Sequence, residues 1–258
     1  MAASSASSPP PFYPVAPEVG ELDQVSVAID GKLFLTNWRS AADPDVLASH
    51  RITHIVAVGA EFVEDSREGI EYWHKDIADD ESARAEMSAS LRDAANFINK
   101  ALKAKNGRCL VHCAAGVSRS ATCVLAYKLI HEKMSLRAAF QDLLAKRRVI
   151  WPNNGFMQAL IALEGEANAG KTSVTLEEYV AWGDYEGPLP EPDIDLLRQK
   201  SSTLSLDGNG AEAEESIDER SGRSSIASSS TSSKHLSKEE RVRLAERESK
   251  GAVAARKS

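Results

Sequence analysis

Cys113 and Arg119 stand at the two ends of a seven-residue stretch within the string His112-Cys113-Ala114-Ala115-Gly116-Val117-Ser118-Arg119-Ser120. The pair combines a sulfur nucleophile with a forked cation able to hold two oxygens of a tetrahedral oxyanion at once. An apolar, strand-like run (Cys109-Leu110-Val111) precedes the string, and a long helical pattern from Ala121 to Lys133 follows it. A strand-loop-helix turn of this kind aims successive backbone N–H groups into its own concavity, and the helix N-terminus adds partial positive charge. Ala114, Ala115, Gly116, Val117, Ser118 and Arg119 therefore read as a backbone cradle for an anion. A cysteine at the mouth of such a cradle is expected as a stabilised thiolate, the reactive form of the residue.

The elements that would hold this loop alternate between strand and helix. Val25-Ser26-Val27-Ala28-Ile29, a turn at Asp30-Gly31 and Leu33-Phe34-Leu35 give a hairpin signal. Asp43-Pro44 predicts a short helix over Asp45 to His50, with Asp43 as its N-cap. Ile52 to Val58 is apolar and β-branched, as a strand covered on both faces should be. Gly69 to Trp73 reads as a further strand. Ser88 to Lys105 is helical, with Leu91, Ala94, Ala95, Ile98 and Leu102 on one stripe. Ser135 caps a helix through Arg147, and Gly155 to Leu163 forms the last one. The fold class is α/β, a mostly parallel central sheet flanked by helices, with the loop at the carboxyl end of a strand.

Patterning confines this domain to residues 25–165. Residues 1–24 form a Ser/Pro-rich arm with a Pro9-Pro10-Pro11 run, expected to be disordered. Residues 166–258 are read as a largely disordered, acidic and Ser-rich regulatory tail. A net charge of -7 over 258 residues argues against general nucleic-acid binding. Three cysteines make no disulfide framework, and neither a signal-peptide core nor an ~18-residue apolar run is present. The expected setting is the reducing cytoplasm or nucleus, and the expected state a monomer. Neither a myristoylation glycine nor a prenylation box is seen.

The six histidines are scattered without ligand-like spacing, so no metal is expected. Gly165 to Thr172 matches a nucleotide-binding loop letter for letter, yet it follows a helix rather than a strand, so no nucleotide or other cofactor is expected. Cys109 is separated from Cys113 by ~13 Å in an extended strand, too far for a disulfide. Cys123, one helical turn past the loop, is a conceivable partner for Cys113 on oxidation.

The string resembles the signature of the cysteine-dependent protein tyrosine phosphatase superfamily, His-Cys-five residues-Arg-Ser/Thr. The closer likeness is to the dual-specificity branch, whose loop reads Ala-Gly-Val-Ser-Arg-Ser and whose following helix carries an Ala-Tyr pair, here Ala126-Tyr127. The resemblance spans Val25 to Glu164. It implies hydrolysis of phosphotyrosine and phosphoserine/threonine in a phosphorylated protein, through a phosphocysteine on Cys113. Arg119 and the loop amides would hold the phosphoryl oxygens, His112 would support the loop, and Ser120 would donate to the thiolate as it departs. Asn153, in Pro152-Asn153, is similar to the family's loop-bracing asparagine. The family's general acid lies on a loop after a Tyr-containing strand. Counted from Tyr72 it falls on Asp79, which is preferred; counted back from Cys113 it falls closer to Asp80.

Two departures from the family pattern stand out: Trp151 replaces a smaller residue, and the acid loop is a residue or two longer than usual. Lipid-directed relatives carry lysines inside the loop, whereas Ala114, Ala115 and Val117 supply none. Arg198 and Lys200 ahead of Leu204-Ser205-Leu206 look like a weak docking motif for a mitogen-activated protein kinase. Arg220 to Ser225 has the make-up of a kinase target.

Overall fold

The computed structural model describes Phe12 and residues 14–29, 31–60 and 67–184. Five strands form one sheet: β1 (Ser26–Ile29), β2 (Leu33–Asn37), β3 (His54–Val58), β4 (Glu71–Lys75) and β5 (Cys109–Cys113), in the order β1-β2-β5-β3-β4. Only β1 runs antiparallel, as the first arm of the hairpin with β2. The remaining pairings are parallel, and they seat Val111 of β5 between Leu35 of β2 and Val56 of β3.

The period of two along each strand sorts side chains onto two faces. Leu33, Leu35, Val56, Val58, Cys109 and Val111 join the large core built with α3 (Arg84–Lys103), α4 (Arg119–Ile130), α5 (Leu136–Lys146), α6 (Asn154–Ala167) and α7 (Leu176–Gly183). Phe34, Ile55, Ala57 and Leu110 face a smaller core with Ala41 of α1 (Trp38–Ala42) and Leu47 of α2 (Pro44–Ser49). Such double coverage explains why β3 and β5 are buried along their whole length. α4 is buried from Arg119 to Leu129, which accounts for its lack of a polar stripe. Among the described residues, no helix is long and apolar enough to cross a membrane.

Local chemistry sets the helix ends. Asp43 accepts from the Asp45 amide with Pro44 at the first position, and Ser135 accepts from the Ala138 amide. α3 begins at Arg84, earlier than the apolar stripe indicates, because a 3-10 turn over Glu81–Ala83 leads straight into it.

The packed domain is larger than residues 25–165. α7 lies beyond that boundary, with Tyr179 and Trp182 buried and a capping box between Thr175 and Glu178. Its two aromatic rings, three residues apart, supply the apolar face that a tail lacks. The amino-terminal arm is also engaged: Phe12 is buried edge-on against Trp182 and Phe140, and Glu21 forms an ion pair with Arg148. The nucleotide-loop lookalike closes the end of α6, where the Gly170 amide donates to the Gly165 carbonyl. It thus joins two helices rather than a strand and a helix. Pro9-Pro10-Pro11, the basic-leucine motif at 198–206 and the serines near Arg220 lie outside the described residues.

Candidate active site

The loop between β5 and α4 is shaped by what holds its carbonyl groups. The Ala114 carbonyl accepts from the Trp38 amide (3.3 Å), and that of Val117 accepts from the Trp151 amide (2.9 Å). Arg147 donates to Ala115 through Nη2 (3.2 Å) and to Gly116 through Nε (2.8 Å). In a trans peptide the N–H points opposite to the preceding C=O, so carbonyls drawn outward turn the amides inward. Gly116 has φ +69°, and a Cβ there would sit 2.5 Å from the Thr36 carbonyl oxygen. Only glycine fits that turn.

Cys113 closes β5 with its sulfur facing this polar concavity. Its Sγ accepts from the Gly116 amide at 3.3 Å and lies 3.1 Å from Ser120 Oγ. Arg119 is the first residue of α4 and is buried. Ser118 occupies the N-cap position, but its hydroxyl makes no cap hydrogen bond. It donates instead to Asp79. Burial, reinforced by His74, drives the His112 pKa down to about 3, so its imidazole is neutral. Burial raises the thiols of Cys109 and Cys123, the latter to about 12. Neither competes as a thiolate, and all three cysteines are free.

The two adjacent aspartates have different surroundings. Asp79 Oδ1 accepts from Ser118 Oγ (2.7 Å) and Asn153 Nδ2 (3.0 Å), while Oδ2 lies 3.5 Å from Arg119 Nε. Asp80 caps the 3-10 turn, accepting from the Ser82 hydroxyl and the amides of Ser82 and Ala83. These bonds, those from Ser82 foremost, hold its carboxyl below the usual range. Asn153 has three tasks: its amide donates to Ser118 Oγ, its Nδ2 to Asp79, and its Oδ1 caps α6 at Phe156. Gly155 lets the first turn of α6 approach the loop bearing Asp79 and Asp80, because a Cβ there would lie 2.6 Å from the Glu81 carbonyl oxygen.

In the sequence Arg147 reads only as the end of a capped helix. In the structure it is buried, and its five N–H donors meet the oxygens of Ala115, Gly116, Leu22, Gln24 and Ser26. Burial lowers its pKa to about 10, opposed by Cys113, Glu21 and Asp23, which leaves the guanidinium charged at neutral pH. Lys146-Arg147-Arg148 looks like a solvated helix end, and no local signal marks the middle residue as interior.

The family model for the dual specificity phosphatase catalytic domain matches residues 33–166. The chain belongs to the dual specificity phosphatases. It is 39% identical over 136 residues to human dual specificity protein phosphatase 21, covering 53% of this chain and 70% of that protein. To human dual specificity protein phosphatase 18 it is 35% identical over 164 residues, 64% of this chain and 82% of that one. Among solved structures, human DUSP28 superposes with a TM-score of 0.52 at 29% identity, over 60% of this chain and 98% of that one. Human tyrosine phosphatase-like serine/threonine/tyrosine-interacting protein gives a TM-score of 0.51 at 32% identity, over 56% and 98%. The phosphatase fold and the hydrolase family are thereby established for this chain.

Proposed function

We propose that this chain hydrolyses phosphotyrosine and phosphoserine/threonine in proteins through a phosphocysteine intermediate. The observation that carries this reading is the seat of Cys113 Sγ, 3.3 Å from an inward-turned loop amide and 3.1 Å from Ser120 Oγ. The thiolate attacks phosphorus, the S–P bond forms, and the bond to the leaving oxygen breaks. Arg119 and the loop amides hold the three non-bridging oxygens as charge redistributes. Protonated Asp79 passes its proton to the leaving alkoxide or phenolate. In the second step water attacks phosphorus, Asp79 takes a proton from it, and the S–P bond breaks as Ser120 donates to the departing sulfur. Inorganic phosphate is released.

Asp79 is favoured for this role over Asp80 because Asp79 is bonded to loop residue Ser118, whereas Asp80 is committed to a helix cap. The uncharged side chains of Ala114, Ala115 and Val117 suit a single phosphate on a protein better than a multiply phosphorylated lipid headgroup. Three free cysteines suit a reducing cytoplasm or nucleus. A mitogen-activated protein kinase is one protein substrate compatible with the basic-leucine motif at 198–206.

The test uses p-nitrophenyl phosphate and a panel of tyrosine-, serine- and threonine-phosphorylated peptides without added metal. The parent protein turns over, and Cys113→Ser loses at least about 10³-fold, as expected for removal of a nucleophile. Asp79→Asn slows poor leaving groups by about 10²-fold, within the range for a lost general acid, while Asp80→Asn does not. Turnover surviving in Cys113→Ser overturns the mechanism.

A further inference from the structure

α7 lies outside the matched residues 33–166, yet it touches the turn that holds the acid. The hydroxyl of Tyr179 donates to the Pro152 carbonyl over 2.6 Å, and its ring stacks on Trp151 at 4.7 Å with 16° between planes. Both contacted residues are one or two positions from Asn153. Trp151 donates its amide to Val117 in the loop, and Asn153 donates to both Ser118 and Asp79. We propose that Tyr179 is a positioning residue for the general acid: from α7 it fixes the Trp151-Pro152-Asn153 turn, and through Asn153 it holds the Asp79 carboxyl over the loop.

The path from α7 to the acid is short and each link is directional. Tyr179 is fully buried, and burial raises its pKa well above 10, so the phenol keeps its donor proton at every working pH. Freed from its donor, the Pro152 carbonyl would be a buried acceptor without a partner, and the turn would relax to recover one. Asn153 moves with that turn, and the Nδ2–Asp79 distance moves with Asn153. The helix bearing Tyr179 is itself pinned. Arg137 binds both oxygens of Glu178, and Phe12 and Phe140 pack edge-on against the rings of α7. A segment that reads as polar tail thus serves as the outer support of the acid loop.

This inference rests on the phosphatase reading and on Asp79 as the acid. Its test compares Tyr179→Phe, which keeps the stacked ring but removes the donor, on two substrates. Phenyl phosphate needs a protonated leaving group, and a fluorinated coumarin phosphate needs little help. The expected kcat/KM loss is about tenfold on phenyl phosphate and less than about twofold on the coumarin ester, and on an Asp79→Asn background Tyr179→Phe costs nothing further. Leu47→Ala, on the opposite face of the sheet, controls for lost stability and shows no such selectivity. Glu178→Gln loosens α7 without altering the ring and gives the same selectivity at smaller size, which covers poor folding of Tyr179→Phe.

Equal losses on both substrates, or an undiminished loss on the Asp79→Asn background, overturn the proposal while leaving the phosphatase reading intact. Absence of Cys113-dependent turnover in the parent protein overturns both.

Discussion

Arg147 reaches Gly116 from behind the loop between β5 and α4, with Nε donating to the Gly116 carbonyl oxygen over 2.8 Å. Its Nη2 lies 2.8 Å from the place a Cβ at position 116 would occupy. The loop is therefore pressed between a glycine that must stay bare and a guanidinium that must stay charged. The same guanidinium donates to Leu22 and Gln24, so the amino-terminal approach and the loop share one fastener.

Replacing Arg147 by Met leaves the buried Gly116 carbonyl and four partly buried oxygens without this donor. Breaking a buried charged network of this kind costs about 3–5 kcal/mol. In a domain of this size that corresponds to a melting temperature lower by about 10 °C. Arg147→Lys keeps a charge but not the planar fork, and it recovers less than half of the loss. Thermal unfolding of the two variants beside the parent decides the matter, and a Lys variant as stable as the parent contradicts the five-bond arrangement.

Gly116→Ala separates loop geometry from loop stability. The left-handed φ of +69° strains any residue with a Cβ, by about 1–2 kcal/mol. The closest atom is the Thr36 carbonyl oxygen of β2, part of the sheet and unable to yield. Strain is relieved by reorienting the loop, which turns an inward amide away from the phosphoryl oxygens. The expected result is a fall in kcat of at least about 10²-fold together with weaker inhibition by inorganic phosphate. Full activity with a merely lowered melting temperature would count against an amide cradle.

His112 gives the fold a pH dependence of known sign. Its folded pKa is about 3 and its ordinary value 6.5, so between these limits the unfolded chain binds the extra proton. The stabilisation is complete above pH 6.5 and is lost progressively as pH falls toward 3, by roughly 5 kcal/mol from this group. His112→Asn removes that share of the slope. Denaturant unfolding of both proteins at pH 7.5, 5.5 and 4 measures it: their stability difference shrinks as pH falls. A difference constant with pH excludes a buried neutral imidazole.

The parts of the site that were legible in the sequence are contiguous ones. Strand β5, the Cys113–Arg119 loop and the start of α4 follow one another, so residue order alone predicts their juxtaposition. Which of Asp79 and Asp80 caps the turn after them was not legible. The two are neighbours, and which one caps depends on backbone angles set by the 3-10 turn after them. α7 reads as tail because a glycine and polar residues at 168–173 separate it from α6, although Thr175 with Glu178 and the Tyr179/Trp182 pair are visible signals. Arg147 was hidden for a deeper reason. A buried arginine is stable only where many oxygens converge, and these come from segments more than a hundred and about thirty residues earlier in the chain.

Glu164 shows how the misread helix is attached. It sits inside α6, fully buried, and its carboxylate accepts from the Leu136 amide at 2.7 Å, the Ser173 amide at 2.7 Å and the Ser173 hydroxyl at 2.8 Å. All three partners are donors, so the site requires an acceptor-only group. Leu136 is also the first residue of α5, where partial positive charge favours a carboxylate. Ser173 in turn receives the Arg137 amide and its Nε–H, which ties the α6–α7 connection to α5. Glu164→Gln has nearly the same shape but turns an NH₂ toward one of these donors, at an expected cost of about 2–3 kcal/mol. Glu164→Ala leaves two amides and a hydroxyl unpaired beside a cavity and costs about 3–5 kcal/mol. Chemical unfolding followed by tryptophan fluorescence reports both, because Trp182 of α7 is seated through this connection. A Gln variant as stable as the parent rules out the acceptor-only requirement, and with it this account of how α7 is held against the catalytic domain.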